Sequence, residues 1–333
     1  MINLLEICKD AHLVGVTGHI RPDGDCVGST MALWQFLKKA LPSASVETVL
    51  QKPSPVFDCI YGVSELLVDE SLSEHGGKSM PERNYDVLFV CDSVTDRTGI
   101  GAVYAGNAKV VVNIDHHISN MGRGEYTYIV PEASSTSELI YDLILFCDPA
   151  KKYMDANIAK AIYMGIVHDT GVFQYSCTSP KTMRMAAELM EYGFDFSKLI
   201  DETFYEKTYV QNQIMGRAML ESFRFMDGKC IVSMVDRKTM SFYGAGTKDF
   251  EGVVNQLRII KGIEVAIFMY ETGTLQYKVS LRSNGRIDVA KVAEYFGGGG
   301  HVRAAGCNMT GTFHDVVNNL AQQIEKQMQN EET

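Results

Sequence analysis

The stretch His19-Ile20-Arg21-Pro22-Asp23-Gly24-Asp25 places one imidazole and two carboxylates within a few residues. His and Asp together suit a hard-to-borderline divalent cation. A short apolar run, Leu13 to Val16, comes before it, and an amphipathic run, Met31 to Leu41, comes after it. The order reads as strand, tight turn and helix. Arg21-Pro22 and Gly24 favour a turn in which the acidic side chains converge. In open α/β sheets, ligands gather at such carboxyl ends of strands. A polar βα turn with a capped helix reads as well from these residues alone.

Three further clusters repeat the arrangement. The apolar run Asp86 to Cys91 closes on Asp92, which alone is also readable as a helix cap or an Asx turn. Lys109 to Ile114 runs straight into Asp115-His116-His117, a triplet that packing does not explain. The segment 155–167 reads as a helix with Ile158, Ala161, Ile162 and Ile166 on one face. It leads into His168-Asp169-Thr170-Gly171, a fourth carboxylate position. His168 reads either as a partner of the site or as a packing residue. Phe173 and Tyr175 offer a nucleobase a stacking face or belong to a core.

These positions require a framework of strands and helices. Strands are expected at 13–17, 46–50, 86–91, 109–114 and 126–130. Helices are expected at 26–41, 136–146, 155–167 and 181–191. Short apolar strands alternating with helices imply a parallel sheet covered on both faces. The stretch 71–84 reads as a loop in which His75 is a surface residue. Residues 194–225 read as a helical connector without strand signal.

After Asp227-Gly228 a smaller α/β domain is expected. Its strands fall at 229–235, 263–270 and 276–281, its helices at 249–260, 288–296 and 315–328. Arg282, Ser283 and Asn284 end one strand with groups that suit a phosphate. Gly297 to Gly300, followed by His301, lets backbone N–H groups approach an anion, or else stops a helix and links. The domain division expected is 1–193, 194–225 and 226–333. His12 and His314 read as structural or exposed.

The chain has 333 residues, 46% hydrophobic and 22% charged, enough for two domains with ordinary cores. No stretch approaches the length of a membrane span, and Met1 to Asp10 lacks a basic leader region, so a cytoplasmic protein is expected. Eight scattered cysteines without a C-x-x-C pair fit a reducing compartment rather than a disulfide framework. A net charge of −10 argues against gripping a long nucleic acid by its backbone. A short phosphate-bearing ligand remains compatible, if metal ions and a few arginines meet its charge.

Taken together, His19-x-x-x-Asp23-x-Asp25, Asp92, Asp115-His116-His117 and Asp169 resemble the DHH phosphoesterase superfamily. Ser280-Leu281-Arg282-Ser283, the glycine run with His301, and Ala304-Ala305-Gly306 resemble the DHH-associated domain. The ordered match runs from about Leu13 to Gly306 and looks like the stand-alone oligoribonuclease/pAp phosphatase members. The C-terminal signature of family II pyrophosphatases is not found, and the chain is much shorter than RecJ-type exonucleases.

The resemblance implies an α/β protein, a parallel-sheet DHH domain plus a smaller α/β domain, with the active site in the cleft between them. It implies two divalent ions, usually manganese. His19 and Asp23 would hold one, Asp25, His116 and Asp169 the other, and Asp92 would bridge. Asp115 would orient a histidine, and His117 would face the scissile phosphate or its leaving group. Arg282, Ser283, Gly298, Gly299 and His301 would hold the substrate's terminal phosphate or sugar. The activity implied is hydrolysis of nanoRNA and pApA to 5′-mononucleotides and of pAp to AMP. Cyclic di-AMP hydrolysis is the alternative, and a non-catalytic nucleotide sensor the alternative of another class. No membrane and no long duplex is expected as partner, and a homodimer is left open.

Overall fold

The computed structural model describes residues 1–71 and 80–329. His75 lies outside them. The chain divides into two compact units, Met1–Glu206 and Lys207–Thr333.

The first unit holds a six-stranded, all-parallel sheet of β1 (Leu13–Thr17), β2 (Ser45–Leu50), β3 (Leu67–Val68), β4 (Val87–Cys91), β5 (Val110–Asp115) and β6 (Tyr126–Ile129). Their order is β3-β2-β1-β4-β5-β6. The order reverses between β1 and β4, so the loops after these two strands diverge and leave a crevice. The helices are α1 (Leu4–Ile7), α2 (Gly24–Ala40), α3 (Ile100–Asn107), α4 (Thr136–Cys147), α5 (Ala156–Asp169), α6 (Pro180–Met190) and α7 (Phe196–Ile200). β3, α1, α3 and α7 are too short or too weakly periodic to stand out in the sequence.

α2 starts two residues earlier than its apolar pattern because Asp23 caps it. The Asp23 carboxylate accepts from Asp25 N (3.1 Å) and Cys26 N (3.0 Å). The helix is then buried continuously from Gly24 to Leu37. It crosses α5 closely: a Cβ on Gly28 would stand 2.6 Å from the Ala161 carbonyl oxygen. α5 runs to Asp169, so His168 and Asp169 lie in its last turn rather than in a loop.

The segment 194–225 is not a unit of its own. α7 and a π-helical turn, Asp201–Tyr205, belong to the first unit. α8 (Tyr209–Leu220) belongs to the second, because Ile214 and Ala218 enter its core. Phe223–Phe225 is a strand, β7, where none was expected. It is short and pairs with β8, and the pairing rather than its own pattern defines it.

The second sheet also contains β8 (Cys230–Val235), β9 (Val265–Gly273), β10 (Gln276–Ser283), β11 (Gly299–His301) and β12 (Ala304–Thr310), in the order β11-β12-β10-β9-β8-β7. β8 and β9 are parallel and the other pairs antiparallel. α9 (Arg237–Tyr243), α10 (Val253–Arg258), α11 (Val289–Tyr295) and α12 (Phe313–Gln329) complete the unit. The helix expected at 249–260 is shortened at its start by Gly252, whose φ of +86° is left-handed. β11 and β12 escape the sequence pattern because glycine and alanine carry little β signal. Among the described residues no helix is long and apolar enough to cross a membrane. All eight cysteines are free.

Candidate active site

Four strand-end or helix-end segments converge in the first unit. His19 follows β1, Asp92 follows β4, Asp115 to His117 end β5, and Asp169 ends α5. His19, Asp92, Asp115, His117 and Asp169, together with Arg21, Arg97 and Asn120, border a cavity of about 610 Å³. Asp92 sits at φ +56°, a left-handed conformation uncommon for a residue with a Cβ. Its N–H donates to the Ile114 carbonyl at 2.9 Å, which holds the strained turn against β5. Such strain clusters at functional sites.

Two groups of donors form around Asp92. His19 Nε2 lies 3.5 Å from both Asp23 Oδ1 and Asp92 Oδ2. His116 Nε2 lies 2.9 Å from Asp169 Oδ2 and 3.8 Å from Asp92 Oδ1. Asp25, His116 and Asp169 offer ligand atoms within 4.8 Å of one another. The positions read as ligands from the sequence are therefore brought together.

The donor set fits divalent cations. His116 Nε2 is buried and makes no hydrogen bond, although a carboxylate oxygen is 2.9 Å away. An imidazole nitrogen and a carboxylate oxygen this close, with no hydrogen bond between them, suit a shared cation. The His116 Nδ1 lies 3.3 Å from the Ala133 carbonyl, which as acceptor leaves Nε2 as the lone-pair side. Three carboxylates, Asp25, Asp92 and Asp169, also crowd this point. Burial first, and then Asp92 and Asp169, push the Asp25 carboxyl well up. Burial likewise raises Asp92 to about 6. Burial opposes protonation of His116, but Asp169 and Asp25 outweigh it and lift it to about 10. Positive charge is what this cluster lacks.

Asp115 has a different environment. Its Oδ1 accepts from the N–H groups of His116 (2.7 Å) and His117 (3.1 Å) and lies 2.8 Å from His117 Nδ1. Asn120 Nδ2 donates to Oδ2 at 2.6 Å. The histidine that Asp115 orients is thus His117, whose Nε2 is left for the half-exposed edge of the site. Asn120 also donates to the Ser93 carbonyl and to Asn113 Oδ1. Its role was not readable, since an Asn in a loop carries no periodic or motif signal.

The N-terminus of α4 was also missed. Thr136 N and Ser137 N donate to Asp25 Oδ2 (2.7 Å) and Oδ1 (2.9 Å). Thr136 Oγ1 donates to Asp92 Oδ1 at 3.1 Å. A helix N-terminus stabilises carboxylates, and here one helix end holds two of them. Cys26 has its thiol beside His19 and Asp92, and burial pushes it up to about 12. His168 packs edge-on against Phe57 and Phe204, with Nε2 3.1 Å from Thr203 Oγ1. Phe173 packs against the core beside Tyr163, whereas Tyr175 is exposed.

α4 is itself anchored. Glu138 accepts from Ser134 Oγ (2.7 Å), Thr182 Oγ1 (2.8 Å) and Lys181 Nζ (3.0 Å). Burial raises its carboxyl, but these donors outweigh burial and hold it below the usual glutamate range. Glu138→Ala is expected to lower stability by about 2–3 kcal/mol, read by urea unfolding. A lowered folded pKa stabilises above the unfolded value of roughly 4.3, and that contribution is lost as pH falls through the folded value. The variant's acid limb should be correspondingly shallower.

In the second unit the register separates residues that the sequence groups. Arg282 lies opposite Ala304, and His301 opposite Ala304 on the other side. Cross-strand partners share a face, so Arg282, Ala304 and His301 form one row. Ser283 is the next residue of β10 and therefore faces the other way. It is 1% exposed, and its hydroxyl accepts from Gly285 N at 3.1 Å. This placement does not join it to Arg282 in one phosphate site. Gly299 belongs to β11, and a Cβ on Gly298 would stand 2.3 Å from the Gly306 carbonyl, so the glycines serve strand packing. Arg282 is held by Asn255 Oδ1 at 3.2 Å.

A parallel sheet whose switch point gathers carboxylates and imidazoles defines a metal-type hydrolase site. Comparison agrees: residues 13–166 match the DHH family N-terminal domain and residues 227–330 the DHHA1 domain. The chain belongs to the DHH family and is a phosphoester hydrolase. It is 30% identical over 89% of its length to the Thermus thermophilus bifunctional oligoribonuclease and PAP phosphatase NrnA, covering 84% of that protein. It is 28% identical to the Bacillus subtilis protein of the same name, over 87% of both chains. A crystal structure of an exopolyphosphatase-related protein from Bacteroides fragilis superposes with a TM-score of 0.85 at 26% identity, covering 96% of this chain and 94% of that one.

Proposed function

We propose that this protein hydrolyses short oligoribonucleotides to 5′-mononucleotides and removes a phosphate from pAp, using two divalent ions, most readily manganese. The observation that carries the reading is the convergence of Asp25, His116 and Asp169 with His19 and Asp23 on the shared carboxylate Asp92. The names of the relatives supply the substrate class.

In this reading His19 and Asp23 hold one ion, and Asp25, His116 and Asp169 hold the other. Asp92 belongs to both. When bound, the two ions supply Lewis acidity toward phosphate and lower the pKa of water from roughly 15.7 toward neutrality. Asp115 keeps His117 in one tautomer and presents its Nε2 to the scissile phosphate or leaving group. Arg282 and His301, in one row of the second unit, take a terminal phosphate or sugar. Free cysteines and an acidic surface fit a reducing, cytoplasmic setting.

Hydrolysis of pApA, a five-unit RNA, pAp, cyclic di-AMP and pyrophosphate, measured in parallel with manganese, tests the proposal. Turnover of the first three with little on the last two is expected. Dominant cyclic di-AMP turnover would move the protein to second-messenger hydrolysis. Binding without any turnover would support a sensor instead.

A further inference from the structure

The metal-type cavity carries two arginines that the reaction itself does not need. Arg21 and Arg97 line it together with Asp23, Asp92, His117 and Asn120. Both are exposed, and among the described residues neither guanidinium forms an ion pair. This is unexpected beside the four acidic side chains of the cavity, Asp23, Asp92, Asp115 and Asp169. The carboxylate nearest Arg97 in sequence, Asp96, is already engaged by Arg123 at 2.6 Å. Asp23 Oδ1 is committed to its own helix cap and to His19.

The backbones of both arginines are pinned while their heads are not. Arg21 N donates to Gln51 Oε1 at 2.8 Å, and Arg21 holds a left-handed φ of +56°. Ile20 N donates to the Arg97 carbonyl at 2.8 Å, tying the loop after β1 to the loop after β4. Two guanidiniums are thereby presented from fixed points on the switch-point crevice. Each offers a planar fork of donors that matches a phosphate.

Charge considerations say what these forks are for. Two divalent ions, when bound, would be matched by the carboxylates that hold them and by one phosphate at the point of reaction. A further phosphate on the same molecule would enter a crevice lined by Asp23, Asp115 and Asp169 and would need cations of its own. We propose that Arg21 and Arg97 bind a phosphate adjoining the one that is cleaved, and so select substrates carrying two or more phosphates. The proposal rests on the phosphoesterase reading above and deepens it.

Three compounds separate the possibilities: ApA, with only the scissile phosphate, pApA, with one before it, and ApAp, with one after it. Arg21→Gln and Arg97→Gln are each expected to raise KM about 10-fold for the flanked compound that uses the site, relative to ApA, with kcat moving far less. Arg97→Lys should recover part of the loss, because charge remains but the fork does not. Calorimetric binding of the same compounds reads the arginines independently of turnover, and thermal melts check folding. A wild-type protein that binds all three and cleaves none would defeat the hydrolase reading while leaving the arginine effect measurable. Equal effects on all three compounds, or no effect on any, would overturn the inference.

Discussion

Replacing Asp92 by Asn should lower kcat/KM for pApA by about 10³-fold or more while leaving the fold intact. Asp92 is 3% exposed and stands between His19 Nε2, 3.5 Å from one oxygen, and His116 Nε2, 3.8 Å from the other. A residue that serves both donor groups cannot be replaced by either. Metal assistance supplies several kcal/mol of transition-state stabilisation, and about 4 kcal/mol corresponds to 10³ in rate. Folding should not suffer, since Asp92, Asp25 and Asp169 repel one another in the metal-free protein. The thermal midpoint of metal-free Asp92→Asn is therefore expected at or above that of the parent. Retained activity would refute the bridging role, and a collapsed midpoint would reassign Asp92 to structure.

The second large effect concerns a residue outside the ligand set. Thr136→Val keeps the shape of the side chain and removes the hydroxyl that donates to Asp92 Oδ1 at 3.1 Å. Hydrogen-bond partners of ligands typically contribute 10–100-fold to metal affinity. Manganese titration by calorimetry should show a loss in that range, with Thr136→Ser recovering most of it. The backbone N–H of Thr136 still reaches Asp25, so the clamp on that carboxylate persists and only the Asp92 partner is lost. Loss of metal affinity without recovery by serine would point to packing instead, because Thr136 is fully buried.

The residues that converge in the first unit were legible without coordinates. His19, Asp23, Asp25, Asp92 and Asp115 to His117 follow apolar runs directly, and such runs mark strands whose ends lie at one edge of a parallel sheet. Asp169 was legible for another reason, as a carboxylate at the end of an apolar helical face. The parallel α/β character followed from the alternation itself.

Other features needed the fold because they join distant parts of the chain. Thr136 meets Asp25 across 111 residues, and no local pattern encodes that contact. Asn120 supports Asp115 from an irregular loop. In the second unit, adjacency in sequence misleads. Arg282 and Ser283 are consecutive, yet strand pleating turns them to opposite faces, whereas His301 joins Arg282 through register with Ala304.

The amino-acid sequence alone determined which chemical groups stand at the strand ends, because periodicity and chain order are local properties. The tertiary structure decided which oxygen faces which nitrogen, which histidine Asp115 orients, and where the Arg21 and Arg97 guanidiniums stand. Those depend on the strand order β2-β1-β4-β5 and on the docking of α4, which arise only when the whole unit packs.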